Sequence, residues 1–228
     1  MAGFTDIRLG DFAAIVFDKD GVLADSEGIN FVSTVLAFRE FGIALPEEAR
    51  KLIVGRHPDD FLGELAGKYG LSAENLPELS CLKAALYAEE WQAQGAMCAG
   101  AGSLLARLNH ACLPLGICTN AAAPELSGFI ERFDLCNVFS VALSREDVAQ
   151  PKPAPDIYLA AAKRLGLPAE HLLVVEDSPY GIAAARAAGT QCIAICADGA
   201  SRPGATTGHN KVASLMELEA RLFGDLAE

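Results

Sequence analysis

The sequence predicts an α/β protein whose parallel sheet is interrupted, just after its first strand, by a helical insertion. Three observations lead there. An apolar strand, Ala13–Phe17, stands alone ahead of a long helical stretch. Between roughly Ser26 and Met97 four helical patterns follow one another with no strand among them. From Gly100 onward strand and helix patterns alternate, as they do where a parallel sheet is covered on both faces.

Taken in order, Ala13–Phe17 (AAIVF) is short and apolar throughout, as a strand buried on both faces must be, and it ends abruptly at Asp18. Phe31, Val32, Val35, Leu36 and Phe38 then recur at helical spacing, with Gly42 as the stop. Pro46 suits the first turn of a second helix running through Ile53. Pro58-Asp59-Asp60 opens a third that ends at Gly70, and Pro77 a fourth carrying Leu79, Leu82, Leu86 and Trp91. The alternating part reads as helix Ser103–His110, strand Leu113–Cys118, a helix from Pro124 and a strand near Val138–Leu143. A helix from Pro155, strand Leu172–Val175 and helix Gly181–Ala188 follow. Strand Gln191–Ala197 is the last strand, and helix Ser214–Phe223 closes the chain. Asp198–His209, rich in Gly, Ser and Thr, reads as a surface loop.

Composition narrows the function classes. The 228 residues, 51% apolar and 21% charged, suffice for one α/β core and a smaller module. No apolar run approaches the roughly 18 residues of a membrane span, and no secretory leader is recognisable, so a cytoplasmic protein with no membrane partner is expected. A net charge of −12 argues against a nucleic-acid partner, which needs a basic face. It also means that an anionic substrate would have to be met by a metal ion or local cations. The seven cysteines form no CxxC pair and no zinc-binding spacing. Cys98, Cys112, Cys118, Cys136, Cys192 and Cys196 sit in or beside small or apolar residues, which predicts free thiols packed as small hydrophobes in a reducing compartment.

Ligands of open parallel sheets bind beyond the carboxyl ends of the strands. Asp18 and Asp20 follow the first strand, Thr119 and Asn120 the second, and Glu176 and Asp177 the fourth. Lys152 lies in the loop after the third. Singly each has a plainer reading: Asp-Gly is common turn chemistry, Thr119, Asn120, Glu176 and Asp177 could cap helices, and Lys152 could be a solvated loop lysine. Their convergence on one sheet edge is what carries the chemistry. Crowded carboxylates call for a cation, and oxygen ligands suit magnesium. With a metal held by Asp18 and Asp177, a carboxylate in line with phosphorus could attack and form an aspartyl-phosphate. Asp20 would serve as acid and then base, Thr119 and the backbone amide of Asn120 would bind the transferring group, and Lys152 would add positive charge. Lys19, between the two aspartates, is expected to point away from them and is given no role.

These residues resemble the four motifs of the haloacid-dehalogenase-like hydrolases. FDKDGVLADSE (Phe17–Glu27) resembles the first, ICTN (Ile117–Asn120) the second, KPAPDIY (Lys152–Tyr158) the third and VVEDSPYGIAAARAAG (Val174–Gly189) the fourth. The helical insertion is similar to the small cap of the beta-phosphoglucomutase-like and phosphoglycolate-phosphatase-like subgroup. The resemblance implies a Rossmann-like parallel sheet core, residues 1–25 and 98–228, with an inserted four-helix cap domain, residues 26–97. It also implies Mg²⁺ bound by Asp18, the backbone carbonyl of Asp20 and Asp177, with Glu176 as a further ligand or just behind them.

In the cap, Glu27, Gly55, Arg56 and His57 fall where this subgroup contacts substrate, with Arg56 as the cationic contact and His57 as a helix-start residue. The pattern departs from the family in carrying Thr119 for the usual serine and Gln150-Pro151 before Lys152. It departs from the mutase branch at Asn30, where a histidine is common, and at Ala121 or Ala122, where a lysine is common. Those two absences favour a phosphatase. The expected function is therefore hydrolysis of a small phosphorylated metabolite, such as a sugar phosphate, by a monomer or homodimer. A hexose phosphomutase is the alternative, and a non-catalytic phospho-acceptor or metabolite-binding module the alternative of another class. A dehalogenase would not need the second aspartate or the magnesium ligands.

Overall fold

The computed structural model describes residues 7–53, 56, 58–196 and 210–224. The chain separates into two compact units, Met1–Ala24 with Met97–Glu228, and Asp25–Ala96.

Among the described residues the first unit holds a six-stranded sheet. Its strands are β1 (Ala14–Phe17), β2 (Leu115–Cys118), β3 (Val141–Leu143), β4 (Leu172–Glu176), β5 (Gln191–Ile195) and β6 (Asn210–Val212), in the order β3-β2-β1-β4-β5-β6. Every pairing is parallel. All four residues of β1 and all five of β4 are buried, as expected of strands covered on both faces. One face packs Val16, Val141, Leu143, Leu172 and Val174 against Ile157, Tyr158 and Ala161 of helix 156–165 and Ala184 and Ala185 of helix 179–187. The strand order runs outward in both directions from β1, so β1 and β4 flank the point where it reverses, which is where such sheets open a crevice for ligands.

The second unit contains α1 (Glu27–Glu40), α2 (Arg50–Ile53), α3 (Pro58–Tyr69) and α4 (Leu76–Gln94). Phe31, Phe38, Ile53, Phe61, Leu65 and Leu79 meet in one apolar core. The sheet unit's helices are α5 (Ala101–His110), α6 (Ala123–Arg132), α7 (Asp156–Leu165), α8 (Pro179–Ala187) and α9 (Leu215–Phe223). Among the described residues no helix is long and apolar enough to cross a membrane.

Three sequence expectations need correction or fall away. Gln191–Ala197 is not the last strand: Asn210–Val212 adds a sixth at the edge, too short and polar to announce itself. Cys112 and Cys136 are exposed rather than packed. Both sit in turns after helices, Cys112 itself at φ 56° and Cys136 two residues after Asp134 at φ 55°, where apolar neighbours in sequence do not become neighbours in the core. The loop Asp198–His209 lies outside the described residues, as do Gly55 and His57.

Candidate active site

Each predicted site residue of the sheet unit except Lys152 stands at or just past a strand's carboxyl end; Lys152 follows β3 by a longer loop. The Asp18 N–H donates to the Val175 carbonyl at 2.9 Å, and that of Thr119 to Leu143 at 3.0 Å, so the last rungs of the ladder fix where these side chains begin. Beyond Asp18 the chain turns at once. The Gly21 N–H donates to Ala24 at 2.9 Å, and Gly21 has φ +77°. A side chain there would be strained and would also run into the Asp177 carboxylate, so the Asp-Gly turn has a steric reason at the site itself.

Lys152 ties the strand ends together. Its side chain is 3% exposed, and its ammonium donates to Asp18 Oδ1 at 2.6 Å, Glu176 Oε1 at 2.7 Å and the Cys118 carbonyl at 2.8 Å. Asn120 holds the backbone that carries it. The Asn120 side-chain amide donates to the Lys152 carbonyl at 3.0 Å, and the Lys152 N–H donates to Asn120 Oδ1 at 2.9 Å. The Lys152–Pro153 bond is cis. Burial pulls the Lys152 pKa down, but Asp18 and Glu176 more than offset it and hold the group above the ordinary lysine value. Burial drives the Asp18 carboxyl up to about 7; Lys152 opposes this, and Glu176 and Asp20 reinforce it. Burial likewise pushes the Cys118 thiol up to about 12, which makes it an inert neighbour.

Carboxylate oxygens of Asp18, Glu176 and Asp177 lie within 4.8 Å of one another, and these three could hold a metal ion. Buried hard-oxygen donors of net negative charge fit Mg²⁺. The three are not equivalent, however. Glu176 Oε1 accepts from Lys152 and from the Tyr158 hydroxyl at 2.7 Å. Oε2 accepts from the Asp177 N–H, the Ser178 N–H and the Ser178 hydroxyl at 3.0–3.2 Å. With five protein donors on its two oxygens, Glu176 is placed to hold Lys152 and the start of α8.

Gly181 makes room for this arrangement. Any Cβ at 181 would overlap the Glu176 carboxylate, while the Gly181 N–H donates to Ser178 Oγ at 3.0 Å. Alanine in a helix ordinarily gains about 0.5–1 kcal/mol over glycine. Gly181→Ala is expected to reverse that sign and destabilise by about 1–3 kcal/mol, the cost of overpacking, read as a lower denaturant midpoint.

Two sequence expectations change here. Lys19 does not point away from the aspartates: it is buried, and its ammonium donates to Asp20 Oδ1 at 2.7 Å. Asp20 Oδ2 also accepts from the Thr119 hydroxyl at 3.3 Å, and Thr119 Oγ1 accepts the Ala121 N–H at 2.9 Å. Asn120 uses its side chain on Lys152 rather than on α6, whose N-cap, Ala122, offers no side-chain cap. Glu27 and Arg56 belong to the helical unit. Glu27 is the first residue of α1, and Arg56 donates to Glu64 at 2.8 Å and to the Leu52 carbonyl at 3.1 Å. Asn30 is also there, with a buried Oδ1 that lacks a hydrogen-bond partner. Tyr158, whose hydroxyl reaches Glu176, is a site neighbour that the sequence reading quoted within a motif but gave no role.

The family model described as haloacid dehalogenase-like hydrolase matches residues 15–195. Validoxylamine A 7'-phosphate phosphatase of Streptomyces hygroscopicus subsp. limoneus is 28% identical over 218 residues, which cover 95% of this chain and 95% of that protein. Protein CbbY of Cupriavidus necator is 32% identical over 190 residues, covering 77% of this chain and 75% of the relative. Among solved structures, CbbY from Rhodobacter sphaeroides in complex with phosphate matches with a TM-score of 0.78 at 25% identity, covering 94% of this chain and 100% of that one.

Proposed function

The chain belongs to the haloacid dehalogenase-like hydrolase family, and from that premise we propose that it is a magnesium-dependent phosphatase. It hydrolyses a small phosphorylated metabolite, such as a sugar phosphate, through an aspartyl-phosphate on Asp18. The observation that carries this reading is the Lys152 ammonium at 2.6 Å from Asp18, within a buried carboxylate cluster beside the reversal point of the sheet.

The residues divide the work as follows. Asp18 attacks phosphorus, and the bond from phosphorus to the ester oxygen breaks as Asp20 gives that oxygen a proton. Asp20 then takes a proton from the water that attacks the aspartyl-phosphate. The bond from phosphorus to the Asp18 oxygen breaks, inorganic phosphate leaves and Asp18 is restored. The Thr119 hydroxyl, turned from Asp20 to the substrate, and the Asn120 backbone N–H donate to the phosphoryl oxygens, and Lys152 supplies positive charge beside Asp18. Asp18, Asp177 and the Asp20 carbonyl would hold Mg²⁺, with Glu176 behind them; the five donors on Glu176 support that placement. The ion, when bound, neutralises charge on the phosphoryl oxygens. Residues 26–97 are read as the cap that selects the substrate, with Glu27 and Arg56 as its contacts.

A relative aligned over 95% of this chain is named as a phosphatase of a phosphate ester, which supports hydrolysis. So do Asn30, Ala121 and Ala122, where a mutase would be expected to carry histidine and lysine. The test is a panel of phosphorylated metabolites with a free-phosphate readout. Release is expected with Mg²⁺, lost on chelation and restored by Mg²⁺. Equal rates in chelator, or interconversion of sugar phosphates with little free phosphate, would overturn the reading.

A further inference from the structure

Lysine is rarely buried without an anionic partner, because desolvating its charge must be offset. The Lys19 side chain is 2% exposed, whereas that of Asp20, which it meets at 2.7 Å, is 38% exposed. The cation therefore lies on the protein side of the carboxylate and is too enclosed to serve as a substrate contact. Its backbone is anchored as well: the Lys19 carbonyl accepts the N–H groups of Leu23 and Ala24 at 2.9 and 2.8 Å. Thr119 donates to the other Asp20 oxygen at 3.3 Å. The Asp20 carboxylate is thus met at both oxygens by groups from two segments of the chain, and when Thr119 turns its single proton to the phosphoryl group Lys19 keeps its hold.

A carboxylate that gives up a proton in one half-reaction and takes one in the next must hold its position through both. Misplacement by about 1 Å can cost on the order of 10²-fold in rate. We infer that Lys19 is a positioning residue that acts through Asp20, fixing the acid–base carboxylate over the reacting oxygen; this rests on the phosphatase reading above.

The test is Lys19→Met, with Lys19→Gln as a second variant, on β-glycerol phosphate and para-nitrophenyl phosphate. Glycerol needs a proton to leave, and nitrophenolate does not. In Lys19→Met, kcat/KM for β-glycerol phosphate is expected to fall about 30-fold or more, within the range general acid catalysis supplies, while that for para-nitrophenyl phosphate stays within about 3-fold. Water attack on the aspartyl-phosphate also slows, so para-nitrophenyl phosphate should give a burst of nitrophenol, one per active protein. The ratio of the two kcat/KM values does not depend on the fraction folded, so it remains readable in a destabilised variant. On an Asp20→Asn background Lys19→Met should add less than about 2-fold, because the two residues act as one unit.

An equal loss on both substrates, or a full extra loss on the Asp20→Asn background, would overturn the role of Lys19. Turnover retained by Asp18→Asn would instead overturn the phosphatase reading. An inactive Asp18→Asn beside an unchanged substrate ratio in Lys19→Met would remove the inference about Lys19 alone.

Discussion

Asp18→Asn is expected to lose about 10⁴-fold or more in turnover, the scale on which removal of a nucleophile acts, and to gain thermal stability when metal-free at pH 8. The two effects share one cause. Burial, reinforced by Glu176 and Asp20, raises the Asp18 carboxyl from 3.8 to about 7 against the pull of Lys152. An acid whose folded pKa lies above its unfolded value stabilises the fold most below the unfolded pKa. That contribution is lost as pH rises from about 4 to about 7, after which the loss is constant. Asparagine resembles the neutral acid and does not incur it. In chelator, the midpoint difference between variant and wild type should therefore grow in the variant's favour from pH 4 to pH 7 and then level off. Mg²⁺ should shrink it by stabilising the ionised wild type. A variant no more stable at pH 8 than at pH 4, relative to wild type, would mean that Asp18 is comfortable as an anion without metal.

The positions of Asp18, Thr119, Glu176 and Asp177 were legible because each terminates or follows an apolar run, and a parallel sheet turns such endings into one edge. Lys152 was legible as a candidate, yet its three acceptors, on Asp18, Cys118 and Glu176, come from segments far away in sequence. Lys19 departs from the sequence expectation for a definite reason. Side chains alternate from one side to the other only within a strand, and β1 ends at Phe17; the turn bonded by Leu23 and Ala24 brings Lys19 back to its neighbour. Asn120 was read as contributing its backbone amide, because nothing local shows that a side chain at 120 will find the backbone of residue 152. The sixth strand escaped because Asn210–Val212 is too brief to establish a period of two.

Lys152→Met should be the most damaging change to the fold among the site residues, and its cost to activity should be comparably large. Methionine keeps the aliphatic stem but removes a charge that three acceptors share at 2.6–2.8 Å. What remains is Asp18 and Glu176, both buried, with Asp177 beside them, and the cation that bridged the first two is gone. Breaking a buried ion pair on one side costs about 3–5 kcal/mol, far more than the pair's net worth, because the surviving charge keeps its desolvation penalty. A denaturant midpoint measured in chelator should show a loss on that scale. Turnover should fall by about 10²–10³-fold even where the variant is folded and Mg²⁺ is saturating, since a preorganised charge beside the transferring phosphoryl group is lost. Lys152→Arg should fail to rescue either property, because a planar guanidinium cannot reproduce the converging donors of an ammonium in a site this enclosed. Full rescue by arginine would mean that only charge matters at this position. A Lys152→Met protein within a few-fold of wild-type turnover would mean that the cluster serves the fold and not the reaction.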